Sequence, residues 1–437
     1  MNSQHTGEPE RPASALRARL GRLNPGALSL YAIAAGFTTY FCMYAFRKPF
    51  AAATYEGMQF MGKETDVKTV YVIAQVIGYT ISKYVGMRVC SETGVKGRAR
   101  LLVSLIFAAW LSLLLFAVLP GSLKVLAIFA NGLPLGMVWG TIVLYLEGRR
   151  TSEFMLAGMS CSYIVASGVV KDVGRYLMTS WGVTDYWMPF ATGALFLLPF
   201  LSAVWMLSQM PAPTTADREE RSLRSRMDSE DRWAFLREFG LGMGLLTGMY
   251  FFLTAYRDYR DNYGIEILTD LGLGERAGMF TQTELPIAFG MLIALSLLSL
   301  VRDNRLGLMF AFAIMIVGQV LMGVSTWMLS RGWVDPITWM TLVGLGAYLT
   351  YVPFGSVLFD RLLAYTRFAG TAVFAIYLTD AVGYTGTVGL LLYKEYFAAD
   401  ISRLEFFNQL TYFMSVGGCA SLIVALLYFM RCGPVKK

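Results

Sequence analysis

Two strips of the chain set guanidinium groups against long apolar runs. One is Tyr40-Phe41-Cys42-Met43-Tyr44-Ala45-Phe46-Arg47-Lys48-Pro49-Phe50; the other is Met249-Tyr250-Phe251-Phe252-Leu253-Thr254-Ala255-Tyr256-Arg257-Asp258-Tyr259. A charge inside a bilayer costs several kcal/mol, so it marks a functional site by default. Arginine presents a planar fork of donors matched to phosphate or carboxylate oxygens, and lysine adds a point charge. Arg47, Lys48 and Arg257, with Tyr44 one turn before Arg47, are therefore candidate ligands for a small anion. Pro49-Phe50-Ala51-Ala52-Ala53 stays apolar beyond the first pair, so the pair interrupts a longer run. Pro49 is placed to kink a helix there. Asp258 can neutralise Arg257 at rest and release it to an arriving anion. The alternation of Arg257, Asp258, Arg260 and Asp261 also fits a solvated outer edge.

Other charges fall within apolar runs. Lys171 and Arg175 are four apart and share a helix face, whereas Asp172 and Arg175 are three apart and can pair. That trio keeps one excess positive charge, suited to the anion site or its gate. Asp380 is the most isolated, with Phe368 to Thr379 before it and Ala381 to Tyr393 after it. It fits a partner for a cavity arginine or a carrier of the coupling proton. Glu284, beside Pro286, is a second candidate for that role. Lys83 reads as a cavity cation or as an anchor that snorkels to the headgroups. Glu147 with Arg149, and Asp360 with Arg361, read as conformational latches or boundary charges.

Enzymatic chemistry finds little material. His5 is the sole histidine and lies in the N-terminal tail, and Cys42, Cys90, Cys161, Cys419 and Cys432 have no metal-ligand spacing. No nucleophile motif and no metal-carboxylate cluster stands out. No cofactor and no metal is expected, and the chain does not read as an enzyme.

The elements that must position these charges are membrane helices. The chain is 56% hydrophobic and 15% charged, with mean hydropathy +0.51; soluble proteins are about 25% charged. A span needs about 20 mostly apolar residues, and about 12 such runs can be counted. The first six lie near 27–54, 67–87, 99–119, 122–146, 154–181 and 187–208. The second six lie near 239–260, 276–300, 307–329, 337–359, 368–393 and 407–430. The expected organisation is a cytoplasmic tail over 1–25, a six-helix half over 26–210, a cytoplasmic linker over 211–237, a second six-helix half over 238–431 and a short tail over 432–437. With the N-terminus placed inside, lysine and arginine favour the inner segments by roughly three to one, which puts both termini in the cytoplasm. The net charge of +7 follows from these short basic loops and does not imply nucleic acid.

The halves echo each other beyond the arginines. Gly140-Thr141-Ile142-Val143-Leu144-Tyr145-Leu146-Glu147 has a loose counterpart in Gly355-Ser356-Val357-Leu358-Phe359-Asp360-Arg361. Ala157-Gly158-Met159-Ser160 follows the first and Ala369-Gly370-Thr371-Ala372 the second. Many of the 43 glycines lie inside spans, where small residues let helices approach closely. Duplication of a six-helix unit with a site between the copies is a transporter architecture.

Twelve spans in two halves around a charged linker resemble the major facilitator superfamily. Tyr44-Ala45-Phe46-Arg47-Lys48-Pro49-Phe50 and Ser82-Lys83-Tyr84-Val85-Gly86 are similar to the organophosphate:phosphate antiporter branch. That resemblance implies phosphate ligation by Arg47 and Lys48, with Phe50 and Tyr44 beside them. Gly86 to Arg98 looks like a degenerate loop signature of the superfamily, with Glu92 where aspartate is usual. The second half departs from the branch. Matching its seventh-span aspartate to Asp258 puts Leu253 where the branch has its second arginine, and Arg257 sits one turn later. The fifth-span histidine of the branch is missing, and Lys171-Asp172 lies in that region. The Phe-x-x-x-Tyr-x-x-Arg-Lys-Pro-Phe strip also resembles a bacterial facilitator-like family of unknown function.

The expectation is an all-α membrane protein of about 12 transmembrane helices, in the cytoplasmic membrane of a bacterium. It would move a small anionic solute (phosphate ester, phosphate or carboxylate) by alternating access, coupled to protons or to phosphate exchange. Its partners are then that solute and the lipid bilayer. Two other classes are a transporter-like sensor of a phosphorylated metabolite and a membrane-embedded lipid enzyme.

Overall fold

The computed structural model describes residues 14–55, 67–95, 97–147, 149, 151–214, 217, 229–273, 278–301, 303–367 and 372–433. His5, the linker beyond Thr214 apart from Asp217 and its last residues, and the Ala369-Gly370-Thr371 strip lie outside that set. Twelve long helices cross the fold among the described residues. The first half holds α1 (Pro25–Tyr44), α2 (Val67–Glu92), α3 (Arg98–Val118), α4 (Leu123–Leu146), α5 (Ser152–Trp181) and α6 (Met188–Ser208). The second holds α7 (Ser229–Asn262), α8 (Met279–Ser299), α9 (Asn304–Ser330), α10 (Pro336–Ser356), α11 (Ala372–Tyr396) and α12 (Arg403–Cys432).

Eleven of these are long and apolar enough to cross a membrane; the exception is α2. It carries Lys68, Thr69, Gln75, Ser82 and Lys83 along its length. Lys68, Thr69, Gln75 and Ser82 are buried and Lys83 is half-buried on an ion pair, so the protein and not lipid solvates them. Within each half the helices approach through small residues. A Cβ on Gly132 of α4 would meet the Gln75 carbonyl of α2 at 2.3 Å, and one on Gly346 of α10 would meet the Gly318 carbonyl of α9 at 2.4 Å. Backbones this close leave no room for a side chain.

The halves meet along two seams, α5 against α8 and α2 against α11. Tyr31 of α1 donates to the carbonyl of Met206, and Tyr428 of α12 donates to that of Glu238. These contacts mark the side of the membrane that holds the chain ends and the linker, called here the terminal side. The opposite side is the far side.

Candidate functional site

The first surprise lies at the arginine itself. The expected run from 27 to 54 does not continue as a kinked helix: α1 ends at Tyr44, and Pro49–Ala52 forms a single 3₁₀ turn. Arg47 and Lys48 sit in the break between them. Pro49 has no N–H with which to continue the helix, and its ring would clash with the carbonyl four residues back. Freed carbonyls at membrane depth must find partners inside the protein. Asn131 of α4 donates to Phe46 O at 3.0 Å, and Gln75 of α2 donates to Arg47 O at 2.9 Å. Gln75 also donates to Asn131 Oδ1 at 2.7 Å, which locks both amides. Two polar residues from neighbouring helices thus fix the loop that presents Arg47.

Arg47 is 3% exposed and lies inside an aromatic cage. Its guanidinium carbon stands 3.9 Å over the Tyr79 ring, 5.9 Å from Tyr44 and 6.0 Å from Tyr384. Its Nε makes no hydrogen bond, and no carboxylate lies within ion-pair distance among the described residues. Across the boundary, Arg257 of α7 stacks over Tyr351 at 4.3 Å and pairs with Asp258 at 2.9 Å. Asp258 takes a second hydrogen bond from Thr387 of α11 at 3.2 Å. Tyr44 and Tyr384 lie within electrostatic reach of both arginines. One arginine from each half therefore flanks a shared set of buried tyrosines.

The remaining candidates divide between two other places. Lys83 of α2 is partly buried and turned inward, not snorkelled: it pairs with Asp380 of α11 at 3.0 Å, and Tyr250 approaches the same carboxylate at 3.5 Å. This pair adjoins the arginine cage, because Lys83 lies 5.2 Å from the Tyr79 ring and 5.6 Å from that of Tyr384. Lys48 and Lys171 converge on Asp261 instead, at 2.6 and 2.8 Å. Ser167 donates to that carboxylate too, and Lys48 donates to Asn262 at 3.1 Å. Asp172 does not pair with Arg175. One of its oxygens accepts from the backbone and hydroxyl of Thr281, at 2.7 and 2.6 Å, across the α5–α8 seam. Arg175 is half-buried one turn on. Glu284 of α8 is held by Arg260 at 2.7 Å.

The alternating charges after Tyr256 are thus no solvated edge. Asp258 is 2% and Arg260 4% exposed, and each is spent on a different partner. Asp261 escaped the sequence reading because its partners, 90 and 213 residues away, belong to the other half. Lys68, which the sequence did not single out, is likewise buried and pairs with Glu266 at 2.6 Å. Tyr79 and Gln75 carried no sequence signal beyond their place on the least apolar span.

The polar ties between halves gather toward the far side. They include Lys48–Asp261, Lys171–Asp261, Lys68–Glu266 and the hydrogen bond between Thr69 and Tyr263 at 2.8 Å, whereas Lys83–Asp380 joins the halves nearer the terminal side. Chemically, the arrangement is a ring of buried cations, partly neutralised, with tyrosine walls. No group of three or more metal-ligating side chains occurs among the described residues.

Comparison with known proteins matches this picture at the level of the fold. The chain superposes on a D-xylose-proton symporter with a TM-score of 0.60 at 13% identity, covering 94% of this chain and 98% of that one. A peptide transporter of the POT type in complex with sulfate gives 0.60 at 13% identity, covering 93% and 96%. A second structure of that transporter gives 0.61 at 12% identity, covering 96% and 100%. The fold is therefore of the major facilitator type, while the organophosphate branch finds no support among these neighbours. No curated protein matches the chain. A family model matches residues 49–432, from the proline after Arg47-Lys48 to the end of α12, and so the chain belongs to the family of unknown function DUF5690.

Proposed function

We propose that this protein is a secondary transporter that moves a small organic anion by alternating access, with a phosphate ester as the favoured class. One observation carries the reading: Arg47 is a buried guanidinium, caged by tyrosines, without a carboxylate partner. A charge held in that state needs a counter-ion, and a substrate anion supplies one. The charge balance supports a dianion. Among the described residues, Arg47, Lys48, Lys83, Lys171, Arg257 and Arg260 stand against Asp258, Asp261, Glu284 and Asp380, six cations against four carboxylates. Asp172 and Arg175 add one of each and leave the excess unchanged. A phosphate monoester near neutrality cancels two charges, and a monocarboxylate cancels one.

Arg47 would take the anion from the first half and Arg257 from the second, once Asp258 yields. Tyr44, Tyr79, Tyr351 and Tyr384 would line the body of the solute. Closure follows only if the anion gains more contact energy with both halves together than with one. The facilitator fold supports transport over a purely sensory or enzymatic role.

The test is the melting shift of the detergent-purified protein with phosphate esters, inorganic phosphate, carboxylates and neutral sugars, run for wild type and Arg47→Ala. A ligand of the folded state raises the melting temperature with occupancy. A phosphate-ester shift that vanishes in Arg47→Ala, followed by uptake of that ester into proteoliposomes, is the expected result. Shifts confined to neutral sugars, or indifferent to Arg47, overturn the anion site.

A further inference from the structure

Two rungs join α2 to α11. In one, Tyr79 and Tyr384 pack with ring centroids 4.8 Å apart. In the other, Lys83 pairs with Asp380 at 3.0 Å. Lys83 lies four residues after Tyr79, and Asp380 four residues before Tyr384. The helices run in opposite directions, so each step is one turn toward the terminal side and the two rungs stack. The first rung carries Arg47, whose guanidinium lies over Tyr79. The second is an ion pair across the boundary of the halves, on the terminal side of the anion site.

We infer that Asp380 is a proton-binding site and Lys83 the switch that it throws. This rests on the transporter reading above. A proton on Asp380 cancels the carboxylate charge that holds Lys83, and the bridge between halves parts. The Lys83 side chain is 10% exposed and that of Asp380 17%, which leaves the pair open to a proton. The groups that act on Asp380 are Lys83 and Tyr79 from α2, Tyr250 from α7, Tyr351 from α10, Tyr163 from α5 and Tyr384 from α11.

A freed Lys83 has somewhere to go. Tyr79 is 1% exposed, and its hydroxyl has no hydrogen-bond partner although Lys83 lies 5.2 Å from its ring. Turning one way, the ammonium meets Asp380. Turning the other, it meets Tyr79 and any anion held by Arg47. Proton and anion thus compete for opposite ends of one lysine exchange: protonating Asp380 gives Lys83 to the anion, and binding the anion gives Asp380 to the proton. Such coupling is reciprocal by thermodynamic necessity. It makes the solute and a proton travel together, and needs no exchange against phosphate.

The experiment reads the gate without any solute. Spin labels go on Val85→Cys, near the terminal end of α2, and Ala364→Cys in the second half, with the native cysteines replaced. The distance between them is measured in lipid nanodiscs by electron–electron resonance from pH 8 to pH 5. The expected wild-type result is a shift to the longer distance as pH falls. Asp380→Asn should hold the longer distance at every pH, and Asp380→Glu should restore the response. Lys83→Gln, the fallback if Asp380→Asn folds poorly, should also lose the response. A wild-type distance that ignores pH, or an Asp380→Asn that still titrates, overturns the assignment. Either result leaves the Arg47-dependent melting shift standing, so the two readings fail separately.

Discussion

Lys48 Nζ lies 2.6 Å from Asp261 Oδ2, and Lys171 Nζ lies 2.8 Å from Oδ1 of the same carboxylate. One side chain of the second half therefore ties down both α5 and the break after α1, next in sequence to Arg47. Removing the carboxylate leaves two buried ammonium groups without a counter-ion. Breaking a buried pair from one side costs about 3–5 kcal/mol, far more than the pair contributes net. Asp261→Ala should lower the melting temperature sharply, and Asp261→Asn less so, because its amide oxygen still accepts. The same variants should open the far side. A cysteine at Thr69, which is 2% exposed, should then react faster with a membrane-impermeant maleimide. Unchanged labelling would mean that Asp261 is not the far-side clasp.

Arg47 behaves oppositely because no carboxylate depends on it. Arg47→Gln should leave the empty protein as stable as wild type or make it more stable, since a desolvated charge is removed and nothing is orphaned. Anion affinity should fall by about 10- to 100-fold, the equivalent of one charged hydrogen bond of roughly 1.5–3 kcal/mol. Arg47→Lys should recover only part of it, for want of the planar fork. Melting curves with and without a phosphate ester separate the two effects. A large loss of stability in the empty Arg47→Gln protein would mean that the arginine is structural.

How much of this was legible beforehand depends on sequence distance. The spans were readable because length and apolarity are local properties, and even α2 was counted despite its polar face. The break after Tyr44 was not. Pro49 announced a disturbance but not that the helix ends five residues earlier. What permits that ending is an amide 28 residues away and another 85 residues away. Lys83 offered two readings, and the choice turned on Asp380, on the far half of the chain. The alternation at Arg257 to Asp261 looked like surface, because a helix carries its charges to all sides and only the packing tells which neighbour each one meets.

Gln75 tests that loop. Gln75→Leu removes one amide and strips the Arg47 carbonyl and Asn131 Oδ1 of a donor. Buried polar groups left unpaired cost about 1–3 kcal/mol each. The variant should melt earlier and also bind anion more weakly, although the side chain touches no solute. Gln75→Glu should fare no better, since a carboxylate cannot donate to either oxygen. A melting temperature within error of wild type would remove Gln75 from the scaffold of the site.

A helix cap supplies the pH test of ordinary stability. Asp335 precedes α10 and accepts from the backbone of Ile337 and Thr338 and from the Thr338 hydroxyl, which donates at 2.5 Å. The Thr338 hydroxyl and backbone hydrogen bonds hold its carboxyl below the usual aspartate range. A depressed folded pKa means stability that is present above the unfolded value, near 3.9, and is lost as pH falls through the folded one. The cap, worth about 1 kcal/mol, should therefore be intact from pH 5 upward. Asp335→Ala should cost that amount at pH 7 and nothing in strong acid. A penalty that does not shrink on acidification would assign the loss to something other than the carboxylate.

Arg260 and Glu284 offer a double-mutant cycle inside the second half. Their pair, at 2.7 Å with side chains 4% and 5% exposed, ties α7 to α8, and Arg260 also donates to Met340 O at 2.9 Å. Arg260→Met alone strands the glutamate and should cost about 3–5 kcal/mol. The double variant Arg260→Met/Glu284→Leu removes both charges and should recover most of the loss, leaving mainly the unpaired Met340 carbonyl. Transport, where the pair is purely structural, should follow stability through the cycle. If the double variant is stable but inactive, the pair belongs to the working site, and the set of groups that move with the solute extends from α2 and α11 to α8.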